Sequence, residues 1–318
     1  MENKKGFEMS FNWIFAIIVG AIILFIAIYA TTRVINTGEY QINTETAAKI
    51  ETLLDPARPG LASLKSEQVD FAKDMRTYFT CNSIGTFGKQ ALAFSEKIFG
   101  KWGEKGGEIS SMKYIFAENV IEGKNLYLFS MPFKMPFKID DLIMISGKKY
   151  CFYQTPNDIK DKIKNLNLKN IYFAENSDDK NCTGINVCFE NECNISVYGL
   201  CEGFSCDSPY DYGKVSNQDK DLYYYDNLLY AAIFSSPEIY ECNAERLMKK
   251  FSELAGVYIE KANLLELKNC GSNPELDLVS MQDTAKDKTM EISNKINSLS
   301  KTAKSIDMQN QIAVCKLY

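Results

Sequence analysis

Histidine is absent from all 318 residues. That gap excludes Ser-His-Asp and Cys-His catalysis, histidine-ligated zinc and imidazole acid–base chemistry within this chain. Arginine is scarce, standing only at Arg33, Arg58, Arg76 and Arg246, so lysine carries almost all the positive charge. With a formal net charge of −5, the chain has no nucleic-acid footprint. No Cys-x-x-Cys pair occurs, which leaves a thioredoxin-type redox role without support. Charge is also missing locally: no Asp, Glu, Lys or Arg falls between Glu8 and Arg33.

Residues 11–29 of that uncharged stretch read FNWIFAIIVGAIILFIAIY. As a helix rising ~1.5 Å per residue, the stretch crosses the ~30 Å hydrocarbon core of a bilayer. Phe11, Trp13 and Tyr29 lie near its ends, as interfacial aromatics do. The reading is a cytoplasmic tail over 1–10 and a transmembrane helix over 11–32. Lys4 and Lys5 precede the span and only Arg33 follows closely, so the positive-inside rule puts the N-terminus in the cytoplasm and the bulk of the chain outside. The run exceeds the h-region of a secretory signal, and Ile28-Tyr29-Ala30 lacks a small-x-small cleavage pattern. It reads as an uncleaved signal-anchor.

All ten cysteines follow the span: Cys81, Cys151, Cys182, Cys188, Cys193, Cys201, Cys206, Cys242, Cys270 and Cys315. An even number confined to one side of a membrane reads as disulfides in an oxidising compartment. The competing reading is a zinc site at Cys188, Cys193, Cys201 and Cys206, but their spacing is not that of a Cys-x2-Cys knuckle. Two sequons make Asn181 and Asn194 glycosylation candidates and suit an outside location.

Past the span, residues 33–60 read as a stalk helix and linker. Asn43 or Thr44 caps a helix with Ala47, Ile50, Leu53 and Leu54 on one face, and Pro56, Pro59 and Gly60 end it. Gly38 leaves open whether span and stalk are one helix. Residues 61–223 read as β-rich, with apolar runs at 75–81, 90–95, 113–119, 125–130 and 141–153 separated by turn signals. Residues 99–108 read as a glycine-rich surface loop without phosphate-loop spacing. Pro132 and Pro136 suit a linker or edge strand and not a central one. Pro156 opens a short amphipathic helix with Ile159, Ile163, Leu166 and Leu168 as its apolar positions. Residues 184–199 read as a hairpin whose tip, Glu190-Asn191-Glu192, is flanked by Cys188 and Cys193, close enough to bridge or to pair outward.

Residues 224–318 read as helical. Leu247, Phe251, Leu254, Tyr258, Ala262 and Leu265 form a stripe at helical spacing. After Cys270 and Gly271 a fresh start is expected, with Asn273 as N-cap and Pro274 at N1. One long final helix should follow, with a heptad seam of Ala285, Thr289, Ile292, Ile296, Leu299, Ala303, Ile306, Asn310 and Ala313. The seam packs either on the preceding helix as an antiparallel hairpin or on a partner, a second copy or another envelope protein. A straight hairpin turning near residue 271 puts Cys242 beside residue ~300, too far from Cys315 for the two to bridge.

Chemistry-bearing patterns are weak. Ser110 with Lys113, Ser146 with Lys149 and Ser298 with Lys301 match Ser-Lys spacing, as a lysine-rich chain does by chance. Asp140 with Asp141, Asp178 with Asp179, and Asp219 with Asp221 lack EF-hand periodicity and read as solvated turns. No catalytic residue, metal or cofactor is assigned.

Two resemblances add to this. Lys4-Lys5-Gly6-Phe7 before the apolar run resembles a type IV prepilin signal, which a peptidase cuts after the glycine. It implies processing between Gly6 and Phe7. Such signals carry glutamate five positions after the cut, here Phe11, whereas Glu8 stands at the second. More broadly, KKGFEMSFNWIFAIIVGAIILFIAIYA, KYIFA, PFKMPFK, YCF, VCF and AAIFSSPEIYECNAERLMKK resemble an uncharacterised family of single-pass archaeal membrane proteins. That resemblance spans nearly the whole chain, implies a cell-envelope location and transfers no catalytic residue.

The expected fold is α+β: one transmembrane helix, a mostly antiparallel β-rich ectodomain held by disulfides, and a C-terminal helical hairpin. The expected function is a membrane-anchored extracytoplasmic structural or binding protein without catalytic activity. A pilin-like subunit assembled through its N-terminal helix is the alternative, and an envelope enzyme is the third reading. Its expected partners are the lipid bilayer and whatever the final helix contacts, with no nucleic acid.

Overall fold

No proline falls between Phe11 and Leu54, and the whole stretch forms one helix, α1 (Phe11–Leu54, 44 residues). This computed structural model describes residues 11–54, 66–174, 182–203, 206–268, 270 and 274–318. Span and stalk are thus a single rod of about 66 Å, and Gly38 does not interrupt it. The ends of the rod differ. The segment Trp13–Thr31 has a mean hydropathy of 2.8 and is apolar on every side, with none of it buried against the rest of the chain. Near the other end, Ala47 and Ile50 are buried while Ala48, Lys49, Glu51 and Thr52 face water, the one-sided pattern of a helix lying on a domain.

The surface under Ala47 and Ile50 is the first sheet. It comprises β1 (Ser66–Asn82), β2 (Lys89–Ile98), β3 (Lys101–Trp102), β4 (Gly106–Ser111), β5 (Tyr114–Phe116), β6 (Val120–Lys134) and β7 (Lys138–Ser146). Its order is β3-β2-β1-β6-β7-β5, with β4 also on β2, and every pair but β5–β7 is antiparallel. Residues 99–108 are therefore not simply a loop; they supply β3 and the start of β4. One face of the sheet (Phe79, Leu92, Phe94, Ile121, Leu128) packs with α1, and the other (Phe116, Phe129, Phe133, Leu142, Met144) turns to the main core.

Pro132 lies in β6, a central strand, and the pairing explains why it is tolerated. Strand β1 accompanies β6 only as far as Phe129, so, among the described residues, positions 130–134 have β7 alone. The Pro132 carbonyl points away from β7 and accepts from Asn227 Nδ2 at 2.7 Å. Strand β6 is locally an edge where the proline sits.

The second sheet comprises β8 (Tyr150–Tyr153), β9 (Ile171–Ala174), β10 (Ile185–Phe189), β11 (Ile195–Gly199), β12 (Tyr212–Asn217) and β13 (Lys220–Tyr225), in the order β13-β12-β11-β10-β8-β9. It is mixed, not mostly antiparallel: β9–β8, β8–β10 and β10–β11 are parallel. Helix α2 (Asn157–Asn165), its Ile159 and Ile163 buried, is the crossover that makes β8 and β9 parallel. The expected hairpin over 184–199 is also overturned. Glu190 reverses the chain at φ 59°, and the return leg runs back beside β10, held by the Cys188–Cys193 disulfide. Asn194 Oδ1 then accepts from the Asn186 N–H at 3.0 Å, and β11 restarts beside β10 in the same direction.

Helix α3 (Leu228–Phe234) is buried at all seven positions and packs on strands of both sheets. Helix α4 (Pro237–Leu267) follows, with Leu247, Phe251 and Ala262 in the core. The single long final helix is instead two, α5 (Glu275–Lys286) and α6 (Ile292–Ile312). Asp287 breaks it: its Oδ1 accepts from the Thr289 N–H at 2.8 Å and the Thr289 hydroxyl at 2.7 Å, an Asx-type turn competing with the helix. Helix α5 begins at Glu275, which puts Pro274 at the cap position and not at N1; Asn273 lies outside the described residues. The hairpin is α4 with α5, and α6 lies on β13 with Ile292, Ile296, Leu299, Ala303, Ile306 and Asn310 buried. That part of the seam is core within this chain.

The ten cysteines form five pairs, Cys81–Cys242, Cys151–Cys182, Cys188–Cys193, Cys201–Cys206 and Cys270–Cys315. Cys81–Cys242 joins the end of β1 to the first turns of α4, one turn before Arg246, the only buried arginine among the described residues. Fully buried, Arg246 donates to the carbonyls of Phe87 (2.9 Å), Lys113 (2.9 Å) and Met112 (3.0 Å) and to Asn243 Oδ1 (2.6 Å). Its guanidinium lies 4.8 Å from the Tyr114 ring centroid. Gly88, at φ +58°, brings the β1–β2 turn down onto it; a Cβ there would sit 2.3 Å from the Asn82 carbonyl oxygen. Arg246→Met keeps the volume but orphans three carbonyls, and should cost about 3–5 kcal/mol in urea unfolding. A loss under about 1 kcal/mol would mean that the two turns hold their own shape.

Candidate functional site

The patterns noted in the sequence do not converge. Cys188, Cys193, Cys201 and Cys206 are taken up by two local disulfides and do not form one four-thiolate site. No hydrogen bond joins Ser110 to Lys113, Ser146 to Lys149 or Ser298 to Lys301 among the described residues; Ser146 Oγ instead accepts from the Lys148 N–H at 3.3 Å. Asp140 pairs with Lys250, Asp141 with Lys138 and Asp221 with Lys214. Asn194 is exposed. Gly6, Phe7, Asp178, Asp179 and Asn181 lie outside the described residues.

What the fold does assemble is an open cleft of about 930 Å³. It lies where the β6–β7 turn, the start of α2, the loop after β11, the end of β13 and the last turns of α6 meet. Five aspartates line it, Asp158, Asp207, Asp211, Asp226 and Asp307, against Lys134, Lys162 and Lys304. Tyr210 and Tyr225 add apolar faces.

Lys304 organises one wall. Its Nζ sits 2.6 Å from Asp207 and 2.9 Å from Asp211, and the Asp207 N–H donates to Asp211 Oδ2 at 2.8 Å. Burial alone would lower the Lys304 pKa, but the two carboxylates outweigh it and hold the ammonium above its ordinary value.

Asp226 occupies the other wall. It ends β13 at φ 50°, a left-handed conformation that aspartate tolerates better than most residues. Its N–H donates to the Asp211 carbonyl at 2.9 Å, and its Oδ2 receives a long 3.4 Å contact from the Lys134 N–H. Burial pushes the carboxyl up to about 6, although the Asn227 backbone N–H and Lys162 pull the other way. The neighbouring Tyr225 hydroxyl is raised first by burial and then by Asp226.

Such a wall suits polar recognition. Carboxylates accept, lysines donate and tyrosine rings offer a flat apolar surface. Among the described residues, no group of three or more His, Cys, Asp or Glu side chains is placed to hold a metal ion. Sequence reasoning missed this cleft because its members come from five separated segments. Only the Asp207-Ser-Pro-Tyr-Asp211 turn carries a local signal. The chain matches no protein-family model, no curated protein and no solved structure.

Asp226 makes stability depend on pH. Its folded carboxyl keeps its proton up to about pH 6, while the unperturbed value is 3.8, so the folded state binds more protons between the two. Stability therefore falls as pH rises from about 4 to about 6. Asp226→Asn keeps an acceptor and removes the charge. It should flatten that fall and be more stable than the natural chain at pH 7 by about 1–2 kcal/mol. Denaturant melts from pH 4 to 8 check this; parallel curves would mean that the carboxyl ionises freely.

Proposed function

We propose that this chain is a single-pass membrane protein whose extracytoplasmic domain works by binding or assembly and not by catalysis. Helix α1 carries the reading. An all-round apolar window with no protein packed on it needs a solvent other than water, and the same helix runs unbroken into turns buried on the first sheet. Anchor and domain are one rigid piece in this reading. Five cysteine pairs support an oxidising compartment for the domain, and Lys4 and Lys5 support a cytoplasmic N-terminus. The open cleft beside Lys304 and Asp226 is the natural binding surface.

A second reading, a pilin-like subunit, is favoured by one observation: a long, half-bare N-terminal helix whose last turns pack on a largely antiparallel sheet. Cleavage between Gly6 and Phe7 would free that helix to pack with the α1 of other copies.

Thiol counting in denaturant without reductant should find no free cysteine among the ten; ten free thiols would overturn the extracytoplasmic reading. Mass spectrometry of the mature N-terminus separates the two forms. A chain beginning at Phe7 supports pilin-like assembly, and one beginning at Met1 or Glu2 leaves the uncleaved anchor.

A further inference from the structure

Away from the acidic cleft, a second cavity of about 440 Å³ opens between α4, the end of α5 and the start of α6. Its charge is opposite. Lys249, Lys286, Lys288 and Lys295 line it, against Glu245 and Glu253. Lys249 is already engaged by the carbonyls of Ser83 and Gly85. The other three lysines make no ion pair among the described residues.

Lys295 is the anomaly. It is only 4% exposed, and it stands in the first turn of α6, where the helix dipole already concentrates positive charge. The N-cap residue is Glu291, whose exposed side chain makes no capping bond, and the first turn itself holds no acidic residue. Asp287 feels the charge of Lys295, but its Oδ1 is occupied by the Thr289 N–H and hydroxyl. Lys288, on the turn just before α6, adds to the same field. In the α4 wall, Ser252 is 3% exposed and its hydroxyl has no hydrogen-bond partner. A buried cation without a direct ion pair and a buried hydroxyl without a partner are both costly to leave so. One ligand meets both needs.

We propose that this cavity binds an oxyanion of the phosphate or sulfate class. Lys295 is its buried counter-charge, Lys286 and Lys288 guard its mouth, the amino end of α6 supplies the dipole, and Ser252 is available to donate. The cavity falls in the size range of small-ligand sites, so it has room for an anion carried as an ester on a larger group. This proposal does not depend on how the chain meets a membrane.

The test uses the full chain in neutral detergent. Thermal melts are run with inorganic phosphate, inorganic sulfate and chloride at matched ionic strength. Specific binding raises Tm with phosphate or sulfate beyond the chloride series. Lys295→Met should match or exceed the natural Tm without anion, because a buried charge with no direct ion pair is gone, and should bind phosphate at least about tenfold more weakly. Lys288→Gln, at an exposed position, should weaken it about two- to fivefold, while Lys101→Gln on β3 should leave it unchanged. Glycerol phosphate and a short-chain phosphatidic acid below its micelle concentration separate the sources. Equal affinity assigns a free phosphate ester, and tighter binding of the lipid assigns a headgroup. Phosphate and sulfate melts that coincide with chloride overturn the proposal. So does an anion-dependent rise that survives both Lys295→Met and Lys288→Gln.

Discussion

One buried guanidinium, that of Arg246, ties α4 to the first sheet. Arg246 enters the protein from α4 and satisfies backbone carbonyls from two separate turns, at Phe87 and at Met112 and Lys113. Both turns belong to the first sheet, and without the arginine they would carry buried acceptors with no donor. Asn243 and Gln90 extend the arrangement by bonding the Ile115 carbonyl, and the Cys81–Cys242 disulfide clamps it one turn earlier along α4. No carboxylate within ion-pair reach balances Arg246 among the described residues; carbonyl oxygens and the Tyr114 face do so instead. Burial lowers its pKa, while Tyr114 and Asp140 oppose that fall. A hydrogen-bonded arginine, and not apolar contact alone, sets how α4 lies on the first sheet.

From that fixed α4 the rest of the C-terminal region follows. Helix α5 returns along α4, with Gln282 Nε2 donating to the Ser252 carbonyl at 2.7 Å, and the Asp287 turn redirects the chain so that α6 covers β13. Helix α6 then separates two cavities of opposite character. Its first turn, with Lys295, faces the basic one, and its later turns, with Lys304 and Asp307, face the acidic one. The amphipathic face that reads as a coiled-coil seam is what holds α6 in place between them.

Helix α1 follows a different constraint. Its first half is apolar on all sides, long and apolar enough to cross a membrane, and its last described turns are apolar on one side only. Because Ile50 is fully buried on the first sheet, the apolar half of α1 continues without a break into turns packed on the domain. That continuity is common to a rigidly held binding module and an assembling subunit, and it is why the two functional readings share one architecture.

Features legible in the sequence are those carried by local periodicity and composition. They include the apolar span, the apolar runs that became β1, β2, β6 and β7, the α2 helix opened by Pro156, and the stripe of α4. The even cysteine count on one side of the span spoke for pairing, and Cys188 and Cys193 were visibly near each other. Tertiary structure alone decided that β10 and β11 run parallel, that Pro132 sits where β6 loses a neighbour, and that Cys81 finds Cys242 across 161 residues. It alone gathered Asp158, Asp211, Asp226 and Lys304 into one cleft, and it alone buried Lys295 without an ion pair. Periodicity records which face of an element is apolar. It does not record which other element covers that face, and pairing, register and the meeting of distant charges all depend on that second fact.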